Sequence, residues 1–275
     1  MLGPSLVKRI VVGACSLCTV RRIAIFLVFS YLAFGATAFI LQRDLIYFPT
    51  AKDFWTCQSP DPETVKLEID GERVLFNPGD GSRERIIVFY HGNADSACNW
   101  RFIPRHFGVV GDAVLIVEYP GYAGDEREPS EETLFSMVDT VNAWIKSQAY
   151  EEVLLVSYSI GGGPASYHAS LGADKLLMFA PFDSLIRVVW DNSLYYPAFM
   201  LRDKYENDHW LRTSDTKVTI FHGADDNIVS PARSERLAEQ IGDRLEKRIV
   251  VPDRDHVHLF EGPEFEQIVK EFLVQ

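Results

Sequence analysis

The sequence predicts an α/β fold in which helices cover both faces of a mainly parallel, doubly wound sheet, preceded by one transmembrane helix. Three observations lead to this prediction. Residues 23–41 form an apolar stretch without any charged side chain. Short continuous apolar runs then recur along the chain, as in strands that are buried on both faces. Amphipathic helical patterns alternate with these runs, which is the arrangement that parallel strands with crossover helices require.

The apolar stretch 23–41, IAIFLVFSYLAFGATAFIL, would measure about 28 Å as a helix, close to the thickness of a bilayer core. Arg21 and Arg22 end the basic N-terminal segment 1–22 that precedes it. The positive-inside rule therefore predicts a single-pass membrane protein with a cytoplasmic N-terminus. The body of the chain is then expected on the non-cytoplasmic side.

Two alternatives to a retained anchor stay open at the sequence level. Ala36-Thr37-Ala38 resembles a signal-peptidase site, and an apolar helix of this length can also be a buried core helix. The apolar run continues through Phe39, Ile40 and Leu41 beyond that site, which favours an anchor that is not cleaved.

Composition indicates a globular body with acidic character. The chain has 275 residues, 47% hydrophobic and 24% charged, with a formal net charge of −12. An acidic protein of this kind is a poor partner for nucleic acid or for a polybasic dock on anionic lipid. Residues 45–275 contain no repeat and no flexible linker, so we expect one domain there.

The four cysteines do not indicate a metal or redox centre. Cys15 and Cys18 form a C-x-x-C motif, but no second pair accompanies it and no strand-helix-strand unit surrounds it. Whether Cys57 and Cys98 form a disulfide is not decided by the sequence.

Strand and helix patterns alternate through the body. An Asp70-Gly71 turn separates two predicted strands within residues 64–77. The remaining strands are predicted by the runs RIIVFYHG, AVLIVEYPG, EVLLVSYS, KLLMFAP, KVTIFHG and RIVVPD. Ser130 is a predicted helix N-cap, and Ser230-Pro231 opens another helix. A C-terminal helix is predicted by the apolar stripe of Phe265, Ile268, Val269, Phe272 and Leu273.

The stretch VLLVSYSIGGGPAS, residues 153–166, contains the candidate nucleophile. Ser159 follows a strand and precedes a helical segment, as a nucleophile on a sharp strand-to-helix turn must. Such a turn needs small residues two positions before and after the serine. Gly161 meets that need, and Ser157 stands where the usual pattern has glycine. A dinucleotide-binding loop is the rival interpretation, but the third glycine of that pattern and the acid after the next strand are missing.

A serine nucleophile needs a base and an orienting acid, and the chain supplies both after later strands. Asp225 and Asp226 follow KVTIFHG, and His256 and His258 follow RIVVPD. The order Ser, Asp, His is the one that a nucleophile elbow on this type of sheet requires. From the residues alone, the choice within each pair stays open.

The predicted oxyanion hole consists of two backbone N–H groups, those of Ile160 and Asn93. Ile160 follows the serine directly, and Asn93 lies in the loop after RIIVFYHG. His91 and His222 are interpreted as structural residues.

We expect neither a metal nor a cofactor. The chain has no H-E-x-x-H motif, and a metal site at His256 and His258 with Asp253 and Asp255 explains His256 less well than a base does.

Taken together, the ordered motifs resemble the α/β-hydrolase superfamily, and within it the membrane-anchored branch of serine-aminopeptidase-like and acyl-thioesterase-like proteins. The resemblance covers about residues 45–275 and is carried by LIYFP, YHGNA, YPGY, SYSIGGG, APFDS, HGADDNIV and DHVHLF. It implies that Ser159 is the nucleophile, Asp226 the acid and His256 the base. Asp255 stands before His256, where the family usually has glycine.

The resemblance also implies a short helical lid at about residues 185–214. Its aromatic and apolar residues form either a wall over the serine or the lid's own core: Trp190, Tyr195, Tyr196, Phe199, Met200, Tyr205 and Trp210. The expected function is a membrane-tethered serine hydrolase that cleaves carboxylic esters or thioesters, with a small-molecule or lipid-like acyl substrate. The alternatives are a non-catalytic scaffold of the same fold at the membrane, or an amide or peptide hydrolase.

Overall fold

The computed structural model describes residues 4–50, 52–58, 62–107, 111–192 and 196–274, with side chains described from residue 19 onward. The chain forms two units, Met1–Gln42 and Arg43–Gln275. Tyr195, one of the aromatic residues in the predicted lid, lies outside the described residues.

The N-terminal unit is helical. Helix α1 runs over Pro4–Ile46, so it is longer than the predicted segment 23–41 and also includes most of the basic segment 1–22. Its part Thr19–Ile46 is long and apolar enough to cross a membrane. Only 6% of the most apolar window is buried, so the alternative of a buried core helix has no support in the structure. A signal sequence and a retained anchor share these properties.

The second unit is built on one eight-stranded sheet with the order β1-β2-β4-β3-β5-β6-β7-β8. The strands are β1 Val65–Ile69, β2 Glu72–Asn77, β3 Arg85–Tyr90, β4 Ala113–Val117, β5 Glu152–Tyr158, β6 Lys175–Phe179, β7 Lys217–Gly223 and β8 Leu245–Val251. β2 pairs antiparallel with β1 and with β4, and all the other pairs are parallel. The predicted mainly parallel sheet is confirmed.

Helices lie between the strands from β3 onward, and the predicted helices after Ser130, at Ser230-Pro231 and at the C-terminus are present. The helices are α2 Ile103–Phe107, α3 Glu131–Gln148, α4 Gly162–Ser170, α5 Leu185–Asn192, α6 Asn207–Arg212, α7 Pro231–Ile241 and α8 Gly262–Val274. Ser130 caps α3 through a capping box with Thr133, which satisfies N–H groups that lack a partner inside the helix. Pro231 occupies the start of α7, where its missing N–H costs nothing. The apolar stripe of α8 is buried as expected.

The continuous apolar runs are buried because both faces of the sheet are covered. All five residues of β4 are buried, as are the last five of β3 and of β5. A disulfide joins Cys57 and Cys98, with their Cα atoms 6.0 Å apart, which answers the question that the sequence left open. It ties the segment before β1 to the segment after β3.

The described part of the segment predicted as a lid contains α5, α6 and a 3₁₀ turn at Ala198–Met200. Its aromatic residues divide between two environments. Tyr205 is fully buried, and the ring of Trp210 packs on Tyr167 of α4 at a centroid distance of 5.0 Å. Phe199 is 86% exposed. The segment is therefore anchored on the body through Tyr205 and Trp210, and it exposes the aromatic side chain of Phe199.

Candidate active site

Ser159 lies on a strained turn between β5 and α4. The strand ends at Tyr158, a 3₁₀ turn covers Ser159–Gly161, and α4 begins at Gly162. Ser159 has a φ of +53°, a region that non-glycine residues rarely adopt and that is retained mainly at functional sites. The sharp turn keeps the serine at the carboxyl end of the sheet, with 8% of its surface exposed.

Packing explains two of the three glycines after the serine. A Cβ at Gly161 would collide with the carbonyl oxygens of Tyr90 and His91, and a Cβ at Gly163 would collide with the ring of Tyr205. Ser157 fits at the crowded position on the other side, 1% exposed. Close approach of backbone at Gly161 and of an aromatic ring at Gly163 thus explains these two glycines, without a bound phosphate.

His256 links Ser159 to Asp226. Its Nε2 lies 3.0 Å from Ser159 Oγ, and its Nδ1 lies 2.6 Å from Asp226 Oδ2. The side chain of His258, the alternative base, is 57% exposed and bonds to Asp255 instead. The structure therefore brings together Ser159, Asp226 and His256.

Asp226 is held by four hydrogen bonds. Oδ2 accepts from His256 Nδ1 and, at 3.1 Å, from His222 Nε2. Oδ1 accepts from the backbone N–H groups of Ile228 at 2.9 Å and Val229 at 2.8 Å. Burial raises the pKa of Asp226, but the hydrogen bonds from His222 and His256 outweigh it, and the net pKa lies well below the ordinary value. The carboxylate is thus held charged beside the imidazole, whereas its neighbour Asp225 is exposed.

Two residues that hold the cluster were not singled out for this role by the sequence. His222 supplies one of the four bonds to Asp226, and its Nε2 also lies 2.9 Å from the carbonyl oxygen of Val229. Tyr158 donates its hydroxyl to the carbonyl oxygen of His256 at 2.9 Å. Their sequence signal is position, because each lies in the last two residues of a strand, Tyr158 directly before Ser159 and His222 four residues before Asp226.

The predicted oxyanion donors lie in adjacent parts of the site. Ile160 follows Ser159 in the first turn of a helical segment, where an N–H has no carbonyl partner within the helix. Asn93 lies just beyond β3, the strand that pairs with β5. Its neighbour Ala94 has a φ of +53°, so the loop turns sharply there. The roles of both N–H groups remain predictions.

A buried polar cluster around His91 lies directly before the loop that contains Asn93. His91 is fully buried, with Nε2 3.1 Å from Glu118 Oε1 and Nδ1 2.8 Å from the carbonyl oxygen of Gly92. Its ring stacks on Tyr119 at 3.9 Å, and the Tyr119 hydroxyl donates to the His91 carbonyl oxygen at 2.6 Å. The interpretation of His91 as structural agrees with these contacts.

The described side chains include no group of three histidine, cysteine or acidic residues that could hold a metal ion. His256 and His258, the pair considered above, take separate acidic partners.

Known proteins resemble the chain in sequence and in fold. An uncharacterized protein of Mycobacterium tuberculosis is 26% identical over 280 residues, which span 93% of this chain and 96% of that protein. The lysophosphatidylserine lipase ABHD12 of Xenopus tropicalis is 23% identical over 68% of this chain and 57% of its own length. No family model matches the chain.

Among solved structures, native esterase 2 of Thermogutta terrifontis superimposes with a TM-score of 0.62 and 17% identity, covering 80% of this chain and 95% of that one. Est1E of Butyrivibrio proteoclasticus, with ferulic acid bound, superimposes with a TM-score of 0.60 and 14% identity, covering 76% of this chain and 98% of that one. The chain therefore has the α/β-hydrolase fold, and in sequence it resembles proteins of the α/β-hydrolase superfamily.

Proposed function

We propose that the chain is a membrane-tethered serine hydrolase that cleaves carboxylic esters or thioesters through an acyl-enzyme. The observation that carries the proposal is the continuous set of hydrogen bonds from Ser159 Oγ through His256 to Asp226. A hydroxyl, an imidazole and a carboxylate in this order can activate a serine for attack on a carbonyl carbon.

The chemistry follows from the positions of these atoms. Ser159 Oγ attacks the carbonyl carbon while His256 Nε2 accepts its proton, and Asp226 stabilises the resulting imidazolium. The negative charge on the carbonyl oxygen is stabilised by the N–H groups of Ile160 and Asn93. His256 then gives its proton to the departing alcohol or thiol. Water attacks the acyl-enzyme in the same way, and Ser159 regains its proton as the acid leaves.

Similar proteins support an acyl substrate. Thermogutta terrifontis esterase 2 has been solved with propionate bound and also phosphonylated by sarin. The Xenopus relative is named as a lipase of lysophosphatidylserine. We infer an ester or thioester of a carboxylic acid for this chain, and the exposed aromatic side chains of Trp190 and Phe199 in the segment predicted as a lid favour an apolar acyl group.

Two features support a membrane-attached body on the non-cytoplasmic side. Thr19–Ile46 has the length and composition of a membrane-spanning helix, and Arg21 and Arg22 lie near its start. The disulfide between Cys57 and Cys98 is typical of an oxidising compartment outside the cytosol.

The test compares wild-type protein with the Ser159→Ala variant on p-nitrophenyl esters of graded chain length. We expect turnover to fall about 10⁴- to 10⁶-fold in the variant, with an unchanged melting temperature. Near-normal turnover in Ser159→Ala would refute the role of Ser159. A folded wild-type protein that hydrolyses none of these esters and resists a fluorophosphonate probe would favour the non-catalytic scaffold.

A further inference from the structure

The segment Arg43–Thr50, which we name the strap, contains the last residues of α1 and leads into the body. The carbonyl oxygen of Ile46, the last residue of the helix, has no partner within α1 because helices leave their final carbonyls unpaired. Asn93 Nδ2 donates to this oxygen at 2.5 Å. The side chain of the predicted oxyanion residue thus caps the end of α1.

The oxygen of the same amide, Asn93 Oδ1, accepts three hydrogen bonds. Asn93 Oδ1 accepts from the backbone N–H of Phe48 at 3.0 Å, from the backbone N–H of Ala94 at 3.0 Å and from the Tyr122 hydroxyl at 2.8 Å. One amide therefore connects the strap, the loop after β4 and the loop after β3 that contains Asn93 and Ala94, which we name the oxyanion loop. No other side-chain type of this size offers a donor and an acceptor in this arrangement.

These bonds restrict the backbone whose N–H is the predicted oxyanion donor. The bond from Ala94 N–H to Asn93 Oδ1 closes a local turn at a residue with positive φ, a conformation that needs support from its surroundings. Two bonds to the strap, through Ile46 and Phe48, supply that support. An oxyanion donor stabilises the transition state only when it is held in place beforehand.

The strap itself also contacts the segment predicted as a lid, through Tyr205 and Asp203. The hydroxyls of Tyr47 and Tyr205 lie 2.8 Å apart in a buried site, and Arg43 Nε pairs with Asp203 Oδ2 at 3.1 Å. The Tyr205 ring also packs directly on Gly163 of α4. The strap therefore directly contacts the loop that contains Asn93 and is linked to the helix that follows the nucleophile through Tyr205.

We propose that the side chain of Asn93 is a positioning group that uses the C-terminal end of the anchor helix to hold the oxyanion loop in its active geometry. This inference rests on the proposed hydrolase function. It assigns to the strap a role in catalysis in addition to tethering, because the same residues that end α1 also set the position of a transition-state donor.

The test uses the full-length chain in detergent and three variants of this cluster. Asn93→Asp keeps the acceptor oxygen but places a second oxygen against the Ile46 carbonyl. Asn93→Ala removes both functions, and Tyr122→Phe removes one donor conservatively. Asn142→Asp, at a half-buried position on α3, is the matched control. Active sites are counted with a fluorophosphonate probe, and kcat per labelled site and KM are measured on a p-nitrophenyl ester.

We expect kcat per labelled site to fall about 10- to 100-fold in Asn93→Asp and Asn93→Ala, with KM changed less than about threefold, because a misplaced oxyanion donor weakens the transition state alone. Tyr122→Phe should show a smaller loss in the same direction, and Asn142→Asp none. A purely structural role would lower the number of labelled sites and leave kcat per site unchanged, which would overturn the inference. Wild-type protein that is not labelled at all would refute the proposed function first, and this inference with it.

Discussion

Replacing Asp226 by asparagine tests the orientation of the imidazole with almost no change in volume. The carboxylate accepts two donors on each oxygen, the histidine pair on Oδ2 and the backbone pair on Oδ1. An amide has a single oxygen, so it can serve only one of the two pairs. Its NH₂ group must face the other pair.

The structure indicates which orientation of the amide in Asp226→Asn is lower in free energy. An NH₂ group facing the backbone N–H groups of Ile228 and Val229 would leave the buried Val229 donor unpaired, at about 1–3 kcal/mol, and would also remove the acceptor of the part-buried Ile228 donor. An NH₂ group that faces the histidines costs less hydrogen bonding, because His222 Nε2 keeps the Val229 carbonyl oxygen as an acceptor. His256 Nδ1 must then accept from the amide, so the ring proton moves to Nε2. That tautomer cannot take the proton of Ser159.

We therefore expect Asp226→Asn to lower kcat about 10⁴-fold, equivalent to about 5.5 kcal/mol of transition-state stabilisation. The assay is steady-state hydrolysis of a p-nitrophenyl ester, with melting temperature recorded in parallel. Asp225→Asn is the control, because Asp225 is exposed, and it should stay within about twofold of wild type. Activity of Asp226→Asn within tenfold of wild type would refute the assignment of Asp226 as the orienting acid.

Three further predictions concern the packing at Gly161, the disulfide and the pKa of Asp226. Gly161→Ala should lower the free energy of unfolding by about 3 kcal/mol, because the new Cβ meets backbone carbonyl oxygens. Gly162→Ala is the control: its new Cβ would meet the flexible end of the Met178 side chain, so the change should stay within about 1 kcal/mol. Urea unfolding of both variants measures the difference. Replacing Cys57 and Cys98 together by alanine should remove about 4 kcal/mol by the loop-closure relation for a sequence separation of 41, and an unchanged urea midpoint would contradict this. The lowered pKa of Asp226 stabilises the folded chain above about pH 4, and this contribution is lost as pH falls toward the folded-state pKa. Between pH 5 and pH 3 the melting temperature of wild type should therefore fall more than that of Asp226→Asn, and parallel curves would count against it.

The sequence predicts the strands well because both faces of the sheet are buried, which makes each strand a continuous apolar run. The same topology brings strand ends together, so residues placed at strand ends, such as Ser159 and His256, could be singled out without coordinates. The resemblance of the ordered motifs to a known superfamily then favoured Asp226 over Asp225 as the acid.

Contacts between distant segments could not be predicted in this way. The bond between Asn93 and Ile46 joins residues 47 positions apart, and that between Tyr158 and His256 joins residues 98 apart. No periodicity or local propensity records such pairs, since they depend on how loops close over the finished sheet. The disulfide between Cys57 and Cys98 stayed undecided for the same reason.

Identifying the residue that reacts with a fluorophosphonate probe tests the central claim most directly. Wild-type protein is labelled, digested and analysed by mass spectrometry, with the probe mass located on individual residues. We expect one modification per chain, on the Ser159 hydroxyl, and none in Ser159→Ala or in heat-unfolded protein. A protein that hydrolyses esters while Ser159 stays unmodified and another residue carries the probe would contradict the account.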